Sequence, residues 1–176
     1  MAKTIYTLGL SKIEVGAIES DGGMAADGDL KALGYTYQDT CKMTQEEPET
    51  TEHYAEEVDD PVVSTSRGGK TLFDYSIMNP SVKVMEDLLG GVGTEGDGET
   101  TQDKWEAPDK LPVVEKSVRI TPEQGLKFDI PRMKLVSKIN ADFSKKGILL
   151  IEVSGTVMQP TKANTPKMTA TLIATT

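Results

Sequence analysis

Residues 148–158 read ILLIEVSGTVM, and this stretch predicts the clearest β-strand of the chain. The apolar residues that share one face of its extended backbone are Leu149, Ile151, Val153 and Val157. Apolar and polar residues that alternate with a period of two are typical of a strand with one buried face. The same period recurs in two segments that precede it.

Residues 113–120, VVEKSVRI, place Val118 on the core face of a second strand and Ser117 on its solvent face. In residues 126–139, LKFDIPRMKLVSKI, the apolar positions slip by one residue at Pro131. Because proline cannot donate to a ladder and a one-residue shift turns every later side chain over, this slip predicts a β-bulge or a bend. The apolar set predicted to face the core is Leu126, Phe128, Ile130, Met133, Leu135 and Ile139.

The rest of the chain alternates less regularly and is interrupted by glycines. Further strands are predicted at residues 12–18, 35–44, 61–66, 70–78 and 167–175, the last being weak and closing the sheet. Pro48, followed by Glu49 and Thr50, predicts the bend of a hairpin over residues 44–63.

One segment, about residues 79–90, is predicted to be helical. Asn79 suits the N-cap, Pro80 suits the first helical position, and Gly90 is a suitable terminator. Residues 91–104, rich in glycine, threonine and acids, predict a mobile loop. Many short strands with a single helix predict a mainly β fold, an antiparallel β-barrel or two-sheet sandwich with one packed α-helix.

Length and composition narrow the class of protein. A chain of 176 residues supports one domain, residues 1–176, and its longest apolar run, residues 148–151, is far short of a membrane span. No secretory signal is recognised, so synthesis in a cytoplasm is expected. Cys41 is the sole cysteine and is expected to be an inert thiol, which excludes an intrachain disulfide.

Charge is divided unevenly along the sequence. Residues 1–103 contain 7 Lys and Arg against 21 Asp and Glu, whereas residues 104–176 contain 12 against 7. The two parts therefore carry −14 and +5, which together give the net charge of −9. Opposite potentials steer copies of a protein toward head-to-tail association, unless the fold averages the two parts in space.

The acids concentrate in residues 45–60, which contain no Lys or Arg. The eight acids of this run are Glu46, Glu47, Glu49, Glu52, Glu56, Glu57, Asp59 and Asp60. One interpretation is a charged hairpin that blocks indiscriminate strand pairing. The other is a contact between rings of subunits, or the lining of a channel that DNA crosses without sticking.

Residues for catalysis are not brought together by any motif. His53 is the only histidine, and its spacing to Glu52 and Glu56 is common by chance, so neither a nucleophilic triad nor a metal site is predicted. No catalytic residue and no cofactor is therefore expected, and the chain is predicted not to be an enzyme.

The order of these segments resembles the major tail tube proteins of long-tailed bacteriophages and of prophages in Bacteroides-like bacteria. The matching stretches are residues 10–16, 33–36, 52–62, 73–79, 88–91 and 130–131. The resemblance implies a β domain with one packed helix, hexameric rings that stack into a hollow tube, and a location in the virion tail.

The implied partners are copies of the chain itself, together with tape-measure, sheath or tail-terminator proteins. DNA would pass through without specific binding, and no membrane would be involved. The hairpin at 44–63 and the loop at 91–104 are the contact candidates. Two alternatives stay open: a protein- or carbohydrate-binding β domain, and a small enzyme.

Overall fold

The computed structural model of the chain describes residues 5–110 and 112–173, and within them the fold is mainly β, as predicted. The elements are β1 Lys12–Gly16, β2 Lys31–Ala32, β3 Lys42–Gln45, β4 Glu49–Ala55, β5 Val58–Arg67, β6 Thr71–Ile77, α1 Val82–Leu89, β7 Val92–Thr94, β8 Lys104–Glu106, β9 Val114–Thr121, β10 Leu126–Ala141, β11 Leu149–Val157 and β12 Thr169–Leu172.

Eight strands form one antiparallel sheet in the order β2-β1-β9-β10-β11-β6-β3, with β12 beside β10. Strand β10 is 16 residues long and lies at the centre, pairing with β9 along one edge. Along its other edge β12 pairs with the first residues and β11 with the last. The predicted final strand thus exists, but it pairs beside β10 rather than closing the sheet, and its predicted residues 174–175 lie outside the described residues.

The bulge predicted at Pro131 is confirmed. The register between β9 and β10 shifts between Ile130 and Met133, and both of these side chains are fully buried. Because the bulge absorbs the extra residue, the strand keeps its apolar face toward the core on both sides of it.

Strands β1 and β6, each next to an edge strand of the sheet, are connected by an irregular segment rather than by a ladder. Within the described residues no strand pairing links β1 to β6, and residues 33–37 cross between them instead. Leu33 N donates to Ile13 O (3.1 Å), and Tyr37 N donates to Ser76 O (2.7 Å). The sheet is therefore curled around its core with one irregular seam.

The strand predicted at residues 35–44 is wrong over most of its length. Positive φ angles at Gly34 (101°) and Asp39 (62°) interrupt the extended backbone. Only β3, from Lys42, forms a regular strand there. The alternation of side chains over residues 35–41 was therefore misleading, because the segment that crosses between β1 and β6 contains turns.

The core fills the concave side of the curled sheet. Phe73 and Tyr75 are almost completely buried, with ring centroids 5.1 Å apart, and Leu88 and Leu89 of α1 pack into the same cluster. Ile139, predicted to face the core, is 43% exposed. Pairing with β9 ends at Leu135, so no neighbouring strand covers Ile139 along that edge of β10.

Helix α1 begins later than the sequence predicted. Ser81 is the N-cap, and its hydroxyl oxygen accepts from Val84 N at 3.3 Å. The predicted capping by Asn79 is wrong, because the Asn79 side chain accepts instead from Tyr35 N at 2.6 Å. The predicted termination at Gly90 is confirmed: its φ is 73° and its N–H donates to the carbonyl of Glu86.

The prediction that residues 91–104 form a loop is only partly correct. Strands β7 and β8 pair across this segment, which leaves residues 95–103 as the connection between them. The Asp97 carboxylate organises this connection by accepting from the Thr100 hydroxyl and from the amides of residues 99–101. These hydrogen bonds hold the Asp97 pKa far below its usual value.

Ser117 is buried, although its place in the alternation predicted a solvent-facing side chain. Its hydroxyl accepts from Ala25 N (3.0 Å) and donates to Pro131 O (2.7 Å). The loop between β1 and β2 folds over the outer face of the sheet at this point, where Arg119 pairs with Asp27 at 2.7 Å. A covered outer face explains why a small polar residue stands there.

Replacing Ser117 with alanine is expected to cost about 1–3 kcal/mol of unfolding free energy, because two buried backbone groups lose their partner. Urea unfolding measures this cost. Ser64→Ala, at an exposed position of β5, is the matched control and should shift the midpoint little. Equal midpoints for the two variants would show that Ser117 does not hold the loop.

Candidate functional site: an acidic arm, a basic tip and an open cavity

Strands β4 and β5 form a two-stranded hairpin, residues 49–67, which we call the arm. Glu49 pairs with Arg67 at its base, and Glu56 and Glu57 form the turn at its end. The predicted bend at Pro48 is wrong: the chain there continues from β3 into β4, and the real turn lies eight residues later. The sequence predicted a hairpin of the right kind but assigned its end to the proline.

The arm packs against no other part of the described structure to any appreciable extent. Every residue from 49 to 67 is exposed except Ala55, which is half-buried. Its apolar side chains are among those exposed: Tyr54 (61%), Val58 (50%), Val62 (60%) and Val63 (50%). An isolated two-stranded hairpin is marginally stable in water, so this arm lacks a partner that would bury its faces.

The eight acids predicted as lumen or contact residues are brought together here. Six lie on the arm, Glu46 and Glu47 lie in the connection that leads into it, and all eight are exposed. Arg67 is the only Lys or Arg between residues 46 and 67. The arm is therefore strongly negative along its whole length.

His53 does not gain metal-binding neighbours from the fold. It lies opposite Val63, while the adjacent Glu52 projects from the other face of β4 and accepts from the Tyr54 hydroxyl at 2.6 Å. That hydrogen bond raises the Tyr54 pKa. Among the described residues, no group of three or more His, Cys, Asp and Glu side chains is placed to hold a metal ion.

Residues 142–148 connect β10 to β11 and form a second projection, which we call the tip. Phe143 is 94% exposed, and Lys145 and Lys146 follow it in a turn. The Asp142 carboxylate accepts from both the amide (3.1 Å) and the hydroxyl (3.2 Å) of Ser144. These bonds fix the backbone on which Phe143 stands.

The arm and the tip lie at opposite ends of the sheet. Leu72 of β6 pairs with Thr156 of β11, which in turn pairs with Lys134 of β10. The arm precedes Leu72 in the chain and therefore lies toward the end of the sheet at which β10 begins, at Leu126. The tip follows Ala141, the last residue of β10, and therefore lies at the other end. The charge division seen in the sequence thus places an acidic hairpin at one end and a basic turn at the other.

A cavity of about 820 Å³ opens at the same end as the start of β10. Three separate segments line it, within residues 7–12, 34–43 and 120–128, together with Phe73. Its apolar lining includes Leu10, Cys41, Met43, Phe73 and Phe128, and two exposed tyrosines, Tyr35 (73%) and Tyr37 (42%), stand among its lining residues. A cavity of this size accommodates a small ligand or a side chain of another protein.

Burial raises the pKa of the Cys41 thiol to about 11. Because the thiolate is the reactive form, Cys41 in the folded chain is expected to react with a disulfide reagent at pH 8 about 100-fold more slowly than in the urea-unfolded chain. Ellman's reagent measures both rates, and the folded rate should rise with pH toward 11. Equal rates would show that Cys41 is accessible as a thiolate.

A scan against protein-family models and a search of curated proteins both found no match to this chain. Within the described ranges, no helix has the length and apolar character needed to cross a membrane. Function is therefore inferred from the chain's own surfaces.

Two of these surfaces were missed by the sequence. The tip was not predicted as a surface, although a phenylalanine close to two lysines between two strongly alternating segments was a usable signal. The cavity gave no local signal, because its walls come from separate segments distributed between residues 7 and 128 of the chain.

Proposed function

We propose that the protein is a non-enzymatic structural subunit of a phage-type tail tube. Copies assemble into stacked rings, with hexamers as the expected ring, and enclose a negatively lined conduit for DNA in the virion tail. Tape-measure, sheath or tail-terminator proteins are the expected further partners. The resemblance in segment order and the mainly β fold agree with this proposal.

The arm is the observation that carries the proposal. It projects from the sheet, exposes both faces and includes four exposed apolar side chains, yet it has no intrachain partner among the described residues. A neighbouring subunit would bury these faces and pair the free strand edges. A self-sufficient binding module has no comparable need for a hairpin of this length.

Charge supports a head-to-tail arrangement. When the arm end of one subunit meets the tip end of the next, the acids of the arm approach Lys145 and Lys146. Complementary charge fixes the order of association and excludes arm-to-arm contact, which would juxtapose like charges. The same surface repels the phosphate backbone of DNA wherever it faces the conduit.

Neutralising four acids at the end of the arm tests the conduit. The variant changes Glu56 and Glu57 to Gln, and Asp59 and Asp60 to Asn. Unfolding free energy is expected to change by less than about 0.5 kcal/mol, because the four side chains are exposed. Double-stranded DNA should be retained more strongly by tubes of this variant at low salt, and co-sedimentation measures the retention.

The matched control neutralises three exposed acids that lie off the arm, Glu95, Glu99 and Asp109. Its tubes should retain DNA as the original protein does. Equal DNA retention by the arm variant and the control would contradict a negative lining formed by the arm.

A binding module is the second candidate, and the cavity favours it. Tyr35 and Tyr37 stand at an open cavity where aromatic faces are available for stacking. Sedimentation velocity over a range of concentrations separates the candidates: a tube subunit forms large species as concentration rises, whereas a binding module sediments as a discrete particle throughout.

A further inference from the structure

We propose that the tip of one copy docks in the cavity of the next, with the Phe143 ring inserted between the apolar residues that line it. The inference rests on the proposed head-to-tail assembly and names the two surfaces that meet. The occupant of the cavity is thus a second copy of this chain.

Phe143 supplies the apolar anchor. At 94% exposure it is the most exposed large hydrophobic side chain in the described ranges. Buried aromatic side chains dominate the energetics of protein contacts, and a single large ring on a fixed turn loses little conformational entropy when it docks. The hydrogen bonds from Ser144 to Asp142 hold the turn that presents it.

The cavity supplies a matching receptor. Leu10, Met43 and Phe128 offer apolar contacts to a ring, and the volume of about 820 Å³ admits the ring together with neighbouring atoms of the turn.

Charges at the cavity complement those of the tip. Lys12 and Asp39 are the charged residues that line the cavity: Lys12 is neutralised by Glu14 at 2.8 Å, whereas Asp39 has no cation within salt-bridge distance among the described residues. The acidic arm leaves the same end of the sheet. Lys145 and Lys146 would therefore enter a negative surrounding as Phe143 enters the cavity.

The tip and the cavity are too far apart for the tip of one copy to dock in its own cavity. The cavity contacts Leu126 and Phe128 at the start of β10, and the tip follows Ala141 at its end. A strand of 16 residues spans roughly 50 Å of extended backbone. Contact between unlike surfaces at opposite ends is heterologous, and repeated without closure it builds a stack of unlimited length.

A photo-crosslinker tests the docking directly. Replacing Phe143 with p-benzoylphenylalanine keeps an aromatic anchor. In the assembled protein this residue is expected to form cross-links to peptides within residues 7–12, 34–43 or 120–128 of a neighbouring copy, identified by mass spectrometry. The same group at Val92, which is 59% exposed on β7, is the matched control and should not label these peptides.

Each outcome decides the matter. Assembled protein whose cross-links from position 143 fall outside the cavity would overturn this inference and leave the proposed function standing. Absence of any assembly at high concentration would overturn both. Phe143→Ser adds a second measurement: it should raise the concentration needed for assembly by about tenfold or more, while Val92→Ser should not. Equal effects of the two serine variants would contradict an anchoring role for Phe143.

Discussion

Replacing the arm, residues 49–67, with a short glycine-serine turn is expected to abolish assembly and leave the sheet folded. The arm contributes no side chain to the buried core and makes no appreciable contact with other elements of the described structure. Strands β3 and β6 pair below it and can be joined by a tight connection. The melting temperature should therefore fall by no more than about 5 °C, while rings and tubes are lost.

The matched control shortens the connection at residues 95–103 with the same linker. Asp97 accepts hydrogen bonds from backbone amides within this connection, so we expect the connection, unlike the arm, to hold its conformation without a neighbouring subunit. The control should assemble, which also tests the second contact candidate of the sequence. Assembly by the arm deletion at the concentration that suffices for the full chain would contradict the central role given to the arm.

Phe73→Ala is expected to produce the largest loss of stability, about 3–5 kcal/mol. Phe73 is 1% exposed, packs against Tyr75 and separates the cavity from the rest of the core. Removing the Phe73 ring would extend the cavity into the core, and Tyr75 would lose its packing contact with that ring. Chemical denaturation measures the change in unfolding free energy.

Val136→Ala provides the comparison, because Val136 lies in the same sheet but is 61% exposed. Its cost should stay within about 0.5 kcal/mol. A cost for Phe73→Ala no larger than that of the control would show that the core does not depend on this ring.

The period-2 pattern was sufficient to locate the central strands β9, β10 and β11, although it assigned Ser117 and Ile139 to the wrong faces. The shift at Pro131 indicated the bulge because proline and a phase change coincided there. The buried Ile151 and Val153 of β11 and the end of α1 at Gly90 were likewise readable from local sequence. Each of these features depends on neighbours within a few residues.

Features that depend on distant segments were not readable. Ser117 is buried because a loop about 90 residues away in sequence covers it. The end of the arm was assigned to Pro48 because the actual turn, at Glu56 and Glu57, contains neither glycine nor asparagine. Predicting that the cavity and the tip lie at opposite ends of the sheet required the register of β10 with its neighbouring strands, and no single segment of the sequence determines that register.

The central claim is that identical neighbouring subunits bury the arm and pair its free strand edges. Electron microscopy of the purified 176-residue chain at high concentration tests this claim most directly. The account predicts hollow rings, and tubes built of such rings, with a continuous central channel. Discrete monomeric particles at millimolar concentration would contradict it.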